Sequence, residues 1–233
     1  MDQEKVIYGF NSFSKGQVYK YEKGWARLFL PGYEKAKKVF IAGSFNSWDP
    51  KLTAMQFVDS GWMIRLPLEP GKYFYKYIVD GRWMADPNNR FSENDGQGNL
   101  NSVLYCPNQR FVLDGHKNAR KVLLSGTFNN WNRSEIRMHR VSTGWALSMY
   151  LKEGTYSYKF LVDDEWMPDP ANKNIITDIQ GNQNSVIAWG VDHLFFLKGY
   201  HTAKQVVLSG SFNNWNTGEL LMKKNSRRLG TTL

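Results

Sequence analysis

The chain has 233 residues, 42% of them hydrophobic and 22% charged, a balance that excludes both a disordered chain and a membrane-embedded one. Its net charge of +9 and pI near 9.5 raise nucleic acid as a partner, but the basic residues are scattered. The densest groups, Lys35, Lys37 and Lys38, and the tail Lys223, Lys224, Arg227 and Arg228, are short enough to be solvated strand ends, so nucleic acid is not the expected ligand.

Four histidines show no pair at metal-ligand spacing, and the single Cys106 rules out an intrachain disulfide, so no metal and no cofactor are expected. No run approaches the roughly 18 apolar residues of a membrane span. The opening MDQEKVIYGF lacks the basic-then-apolar layout of a secretion signal, which makes a cytoplasmic address the default expectation and a membrane partner unexpected.

In chain order, residues 1–25 form an extension in which VIYGFNSF and QVYKYEKGW each read as a strand, paired as a hairpin through Ser14, Lys15 and Gly16. No function attaches to it. A first unit spans 26–105. It carries GSFNSWDP from Gly43, then the alternating WMIRLPL, whose Trp62, Ile64, Leu66 and Leu68 share one buried face. KYFYKYIV follows, with Tyr73, Tyr75, Tyr77 and Val79 on one face and Lys76 on the other. EPG, VDG and Asp86-Pro87 punctuate the strands.

A second unit, 110–189, repeats this pattern in register, with GTFNNWNR, WALSMYL, Tyr156, Tyr158, Phe160 and Val162, and Lys159 opposite them. Trp48 and Trp131 are 83 residues apart. In both units the next steps, to Trp62 or Trp145, to Trp83 or Trp166, and to Asn101 or Asn184, are 14, 21 and 18 residues. A period near 83 is too long for a solenoid and suits a small all-β sandwich, so two beads are expected, joined by the short CPNQ. After GVDH a third copy, 193–233, runs as far as GSFNNWNT and then loses the pattern. It is expected to be loosely ordered, docked on unit two, or completed by another chain.

The tryptophans fall into two classes. Trp62 and Trp145 head apolar strand faces and read as core. Trp48, Trp131 and Trp215 sit in polar turns, and Trp83 and Trp166 just beyond hairpin turns, where an indole has poor cover; rim packing is the plainer alternative. Phe45 and Phe128 of the same turns are expected to point inward. An exposed indole offers a flat apolar plate, and beside a Lys donor and an Asn amide it matches a sugar ring, whose C–H face stacks while its hydroxyls hydrogen-bond. One Lys, one Asn and two indoles per unit make a minimal site of weak, roughly micromolar to millimolar affinity, raised by avidity if a polymer spans both units.

The ordered string VFIAGSFNSWDP, GWMIRLPLEPGKYFYKYIVDGRWMADP and GNLNSVLY, and its second copy, resembles the family-48 carbohydrate-binding modules. These include the glycogen-binding module of the AMP-activated protein kinase β subunit and early-set domains of branching and debranching enzymes. The resemblance covers about residues 29–105 and 111–188, plus the opening third of a module at the C-terminus. It implies tandem immunoglobulin-like (early-set) β-sandwiches that bind α-1,4-glucan, such as glycogen, starch or maltooligosaccharide, without catalysis. The residues it implicates are Trp48, Lys76, Trp83 and Asn101 in unit one, and Trp131, Lys159, Trp166 and Asn184 in unit two. One departure stands out: where the kinase module has a Leu that threads the sugar helix and a Thr two residues later, this chain has Gln97 and Asn99, and Gln180 and Asn182. Tight encirclement of the glucan is therefore not expected. Gln183 in place of Leu100 is a further difference between the units.

Two rivals remain. Glycoside hydrolysis needs two carboxylates across a cleft, whereas the repeated acids, Asp80 with Asp86 and Asp163 with Asp169, stand where turns call for Asp. The chain is accordingly read as no enzyme, with a catalytic domain or partner protein as a possible neighbour. The stronger rival makes the sandwiches structural or protein-docking modules of a larger enzyme or complex, with no glucan bound.

Overall fold

The computed structural model describes residues 7–14, 19–190, 194–200, 202–210, 215–218, 220–225 and 228–232. The fold is all-β: every strand pair is antiparallel, and the only helical elements among the described residues are single 3-10 turns at Ser44–Asn46 and Thr127–Asn129. The chain divides into two compact units, Met1–Asn118 with Met138–Leu151, and Ala119–Arg137 with Lys152–Leu233.

In the first unit one sheet runs Tyr19–Glu22, Trp25–Pro31, Gly61–Pro67, Gln56–Val58. A second runs Val39–Gly43, Gly71–Val79, Leu100–Cys106, Ser92–Asn94, with Arg82–Met84 folded back on Gly71–Val79. Their inner faces supply one core: Leu28, Leu30, Trp62 and Leu66 from the first meet Ile41, Tyr75, Tyr77 and Leu104 from the second. Fully burying each such side chain is worth roughly 1.5–3 kcal/mol. A third sheet of this unit runs Tyr8–Gly9, Gly144–Leu151, Gln109–Asp114, with His139–Arg140 beside Gly144–Leu151. Trp62 and Trp145 are core residues, and each indole N–H donates to a loop carbonyl, of Tyr33 and of His116, at 3.0 Å.

The second unit holds the sheet Ile136–Arg137, Val122–Gly126, Gly154–Val162, Gln183–Trp189, Ile175–Thr177, with Glu165–Met167 folded back on Gly154–Val162. Toward the C-terminus the described backbone adds two small sheets, one pairing Leu194–Leu197 with Arg228–Thr232 and the other Val207–Leu208 with Leu220–Leu221. The third copy of the turn motif is described only in part, because residues 211–214 lie outside the described residues.

One expectation needs correcting. The two N-terminal strands do not form a hairpin with each other: Tyr8–Gly9 pairs with Tyr150 and Leu151, while Tyr19–Glu22 pairs back on Trp25–Leu28. The reversal lies at Lys23 and Gly24, both at positive φ (52° and 77°), the two-residue turn whose twist matches antiparallel strands. Lys15 and Gly16, the turn expected from sequence, lie outside the described residues. The same turn geometry recurs at Asp80-Gly81 and at Asp163-Asp164, and each launches the short strand that carries Trp83 or Trp166.

The repeated aspartates serve the framework. Asp80 accepts the Lys37 and Lys38 amides at 2.9 Å, and Asp163 those of Arg120 and Lys121. Asp86 is buried and accepts the Tyr75 hydroxyl at 2.7 Å and the Asn88 amide at 2.8 Å; Asp169 accepts Tyr158 at 2.6 Å and the Ala171 amide at 2.9 Å. Burial pushes the Asp86 carboxyl above its ordinary range, while the hydrogen bonds from Tyr75 and Asn88 pull the other way.

The glycine of each Trp-bearing turn is a contact requirement. A Cβ on Gly43 would stand 2.2 Å from the Phe74 carbonyl oxygen, and one on Gly126 2.4 Å from that of Ser157. Gly126→Ala is therefore expected to lower stability by about 1–3 kcal/mol, the usual cost of forcing atoms into a packed site. A urea titration reads this directly, and an unchanged midpoint would contradict the close approach.

Candidate functional site

Where they are described, the polar turns agree in all three copies. The indole-bearing residue donates its backbone N–H to the glycine carbonyl five residues back, Trp48 to Gly43 at 3.0 Å, and Trp131 to Gly126 and Trp215 to Gly210 at 2.9 Å. All three tryptophans have left-handed backbones, with φ of 61°, 58° and 59°. That conformation costs roughly 1–2 kcal/mol per residue. In the first two copies the motif's Asn offsets it: Asn46 and Asn129 accept the Gly43 and Gly126 amides at 2.9 and 3.0 Å, and Asn46 also donates to Thr53 Oγ1 at 2.8 Å. Phe128 is buried, and Phe45 packs half-buried against the core, as the pattern requires. The turn thereby holds its tryptophan away from the interior.

Each unit then assembles one open groove. In the first, Trp48, Lys76, Trp83, Gln97, Asn99 and Asn101 line a single hollow of about 640 Å³. In the second, Trp131, Lys159, Trp166, Gln180, Asn182 and Asn184 line one of about 240 Å³. All twelve residues singled out in the sequence are thus brought together in two sets of six. Alternation explains the lysines: Tyr75 and Tyr77 point into the core, so Lys76 between them faces the groove, and Lys159 follows suit between Tyr158 and Phe160.

The two indoles of each groove are adjacent and partly exposed. Trp48 and Trp83 lie 6.4 Å apart between ring centroids at a 40° tilt; Trp131 and Trp166 lie 5.9 Å apart at 75°, nearly edge to face. Trp83 and Trp166 are 45% and 39% exposed, and Trp48 and Trp131 are half-buried. The first pair makes a more open wall than the second.

Asp95 and Asp178 also line the grooves, and sequence reasoning passed over both. Asp95 accepts the backbone amides of Gln97 and Asn99 at 2.8 and 3.1 Å and the Asn99 side-chain amide at 2.9 Å. Asp178 accepts the amides of Gln180 and Asn182 at 2.9 Å, and the Asn182 and Asn184 side chains at 3.1 and 3.3 Å. Each carboxylate thus gathers the polar loop around itself at the edge of the groove. The signal was present: the two aspartates are 83 residues apart, on the same repeat as the tryptophans.

Hydrogen bonding from Asn99 holds the Asp95 carboxyl below its ordinary range. At Asp178, burial pushes the carboxyl up, but the bonds from Asn182, Asn184 and Gln180 together outweigh it and keep it low. A depressed carboxyl stabilises the fold fully above its unfolded value, about 4, and loses that contribution as pH falls through the lower folded value. The amide resonances of Gln97, Asn99, Gln180 and Asn182 should accordingly stay fixed from pH 7 to 5 and move only below about pH 4. Movement centred near pH 6 would contradict the loop assignment.

A family model described as the glycogen recognition site of AMP-activated protein kinase matches the chain twice, over residues 32–112 and 110–192. The chain belongs to this glycogen recognition family. Among proteins similar to these modules, the 5'-AMP-activated protein kinase subunit beta-1 of Sus scrofa is 38% identical over 69 residues, 30% of this chain and 54% of that protein. Subunit beta-2 of Mus musculus is 33% identical over 85 residues, 36% of this chain and 31% of that protein. The chain thus matches about half of the first relative and under a third of the second. A maltogenic amylase structure from S. marinus aligns with a TM-score of 0.33 at 14% identity, covering 77% of this chain and 31% of that one, too slight a likeness to bear on fold or function.

Proposed function

We propose that this chain binds α-1,4-glucan non-catalytically, one site per glycogen recognition module, with sugar rings stacked on Trp48 and Trp83 in the first and on Trp131 and Trp166 in the second. The observation that carries this reading is the convergence, in both modules, of two partly exposed indoles and one lysine with a loop of Gln and Asn amides. Indoles supply the apolar plate, Lys76 and Lys159 donate to hydroxyl oxygens, and the amides of Asn101 and Asn184 can donate and accept. The grooves are open, which suits a chain lying across them and leaves Gln97, Asn99, Gln180 and Asn182 as edge contacts rather than a ring around the sugar.

Binding without catalysis accords with the acids: Asp86 and Asp169 are occupied by tyrosine hydroxyls and backbone amides, and each groove carries one carboxylate, itself engaged by its loop. Titrating maltoheptaose against intrinsic tryptophan fluorescence tests the reading. A saturable change with a dissociation constant of roughly micromolar to millimolar is expected, and a flat titration together with unretarded migration in glycogen-containing gels would remove it.

A second reading, docking on a partner protein, is favoured by one observation besides the name of the relatives as kinase subunits. The sheet of the first unit away from the groove exposes Trp25 and Phe57, with the Arg65 guanidinium 5.4 Å from the Trp25 ring. Trp25→Ala should weaken capture of a kinase catalytic subunit while leaving glucan binding unchanged; loss of both would tie that face to folding instead.

A further inference from the structure

Trp83 lines two separate hollows of the first unit. Besides the groove it shares with Trp48, it borders one of about 660 Å³ that has no other lining residue in common with it. The apolar part of this second hollow follows from strand register: Phe40 pairs across the sheet with Ile78, Ile78 pairs with Trp83, and Pro50 stands at the margin. Its polar part is cationic. Lys37, Lys38 and Lys51 border it, all exposed, and among the described residues none of the three has an ion-pair partner. The single carboxylate there, Asp80, is taken up by the backbone amides of Lys37 and Lys38 at 2.9 Å.

The second unit has the same register but a filled space. Arg133 replaces Pro50, Ser134 replaces Lys51 and Asp164 replaces Gly81. The Arg133 guanidinium lies 5.6 Å from the Trp166 ring and donates to the Asp164 carbonyl at 3.4 Å. Lys121, the counterpart of Lys38, is paired with the Asp164 carboxylate at 2.9 Å. Room is therefore present in the first unit and reduced in the second, which keeps cations at Arg120 and Arg133 but pairs Lys121 and has Ser134 in place of Lys51.

We propose that the hollow between Trp83 and Lys37, Lys38 and Lys51 is a second sugar subsite of the first unit, and that it takes a glucose residue carrying a phosphomonoester. This deepens the glucan reading and rests on it. Ammonium groups donate and never accept, which serves a phosphate, whose oxygens only accept, better than hydroxyls that need both. The apolar floor beside an indole calls for a ring rather than a bare ion. Continuity through Trp83 puts this subsite next to the neutral groove, so one glucan chain can occupy both.

The test uses the full chain with the second site silenced by Trp131→Ala and Trp166→Ala. Affinity is measured at low ionic strength for maltoheptaose, for maltoheptaose carrying a 6-phosphate, and for inorganic phosphate. The phosphorylated sugar is expected to bind about tenfold tighter than the neutral one, a preference that fades toward 1 M salt, where the screening length falls to about 3 Å. Substituting Lys37, Lys38 and Lys51 together with Gln should erase the preference and leave neutral maltoheptaose binding as it was. Equal affinity for the two sugars, or a preference that survives the triple substitution, would overturn the subsite while leaving glucan binding intact. Inorganic phosphate bound as tightly as the phosphorylated sugar would overturn it too, by reducing the hollow to an anion trap. If neither sugar binds while the unsilenced chain still binds maltoheptaose, the first-unit site and its subsite are both excluded; if that chain is also inert, the glucan reading itself has failed.

Discussion

Replacing Trp83 and Trp166 together with Ala is expected to abolish retardation of the protein in glycogen-containing gels and to weaken maltoheptaose binding by more than about thirtyfold at each site. The estimate follows from treating each indole as a central anchor, worth about 2 kcal/mol or more when truncated, where 1.4 kcal/mol is a factor of ten. These two are the more exposed members of their pairs, 45% and 39%, so their removal takes little from the core. Thermal unfolding of the double variant should consequently match the parent within a few degrees. Retained binding in a variant with the parent's unfolding temperature would transfer the ligand to other residues and leave the exposed indoles for a protein partner. The matching control, Trp62→Ala, removes a buried indole whose N–H is bonded to the Tyr33 carbonyl. It should cost about 3–5 kcal/mol of stability.

The next largest effect concerns the pairing of two sites on one chain. Silencing either site alone should reduce affinity for a long branched glucan about a hundredfold, but change that of the remaining site for maltoheptaose by no more than about twofold. The disproportion is the mark of avidity: once one module is engaged, the second binds at an effective concentration in the millimolar range for a short tether, without any new contact. Sedimentation with glycogen, set against fluorescence titration with the oligosaccharide, separates the two quantities. Single-site variants that sediment like the parent would show that the modules act independently. The pairs also differ, 40° tilt against 75°, so the two silenced chains are expected to keep unequal oligosaccharide affinities, the first site being the stronger because its wall is more open.

Much of the site was legible because repetition exposed it. Trp48 and Trp131 could be told from Trp62 and Trp145 by context alone, since a Gly-x-Phe-Asn turn offers an indole no cover and the head of an alternating strand does. Lys76 followed from strand periodicity, because the tyrosines on either side must be buried. Asp95 and Asp178 were passed over for a physical reason: an Asp four residues before an Asn reads as a loop residue, and only the folded loop reveals that its carboxylate gathers the amides of the groove. The N-terminal strands show the opposite failure. Their residues read correctly as extended, but the partner of Tyr8–Gly9 lies more than a hundred residues away, beyond what any local pattern carries.

The sequence alone determined the all-β class, the 83-residue duplication and the inward and outward faces of the aromatic strands, since each depends on side-chain alternation or on spacing along the chain, while the two six-residue sets were named through the resemblance to the family-48 modules. Only the tertiary structure decided that each set closes on a single groove, that the two indole pairs differ in tilt, and that Arg133 fills in one module what Pro50 leaves open in the other. Those outcomes depend on distances between strands, set by register and twist and by the atoms that happen to occupy the space, and the linear order of residues does not carry them.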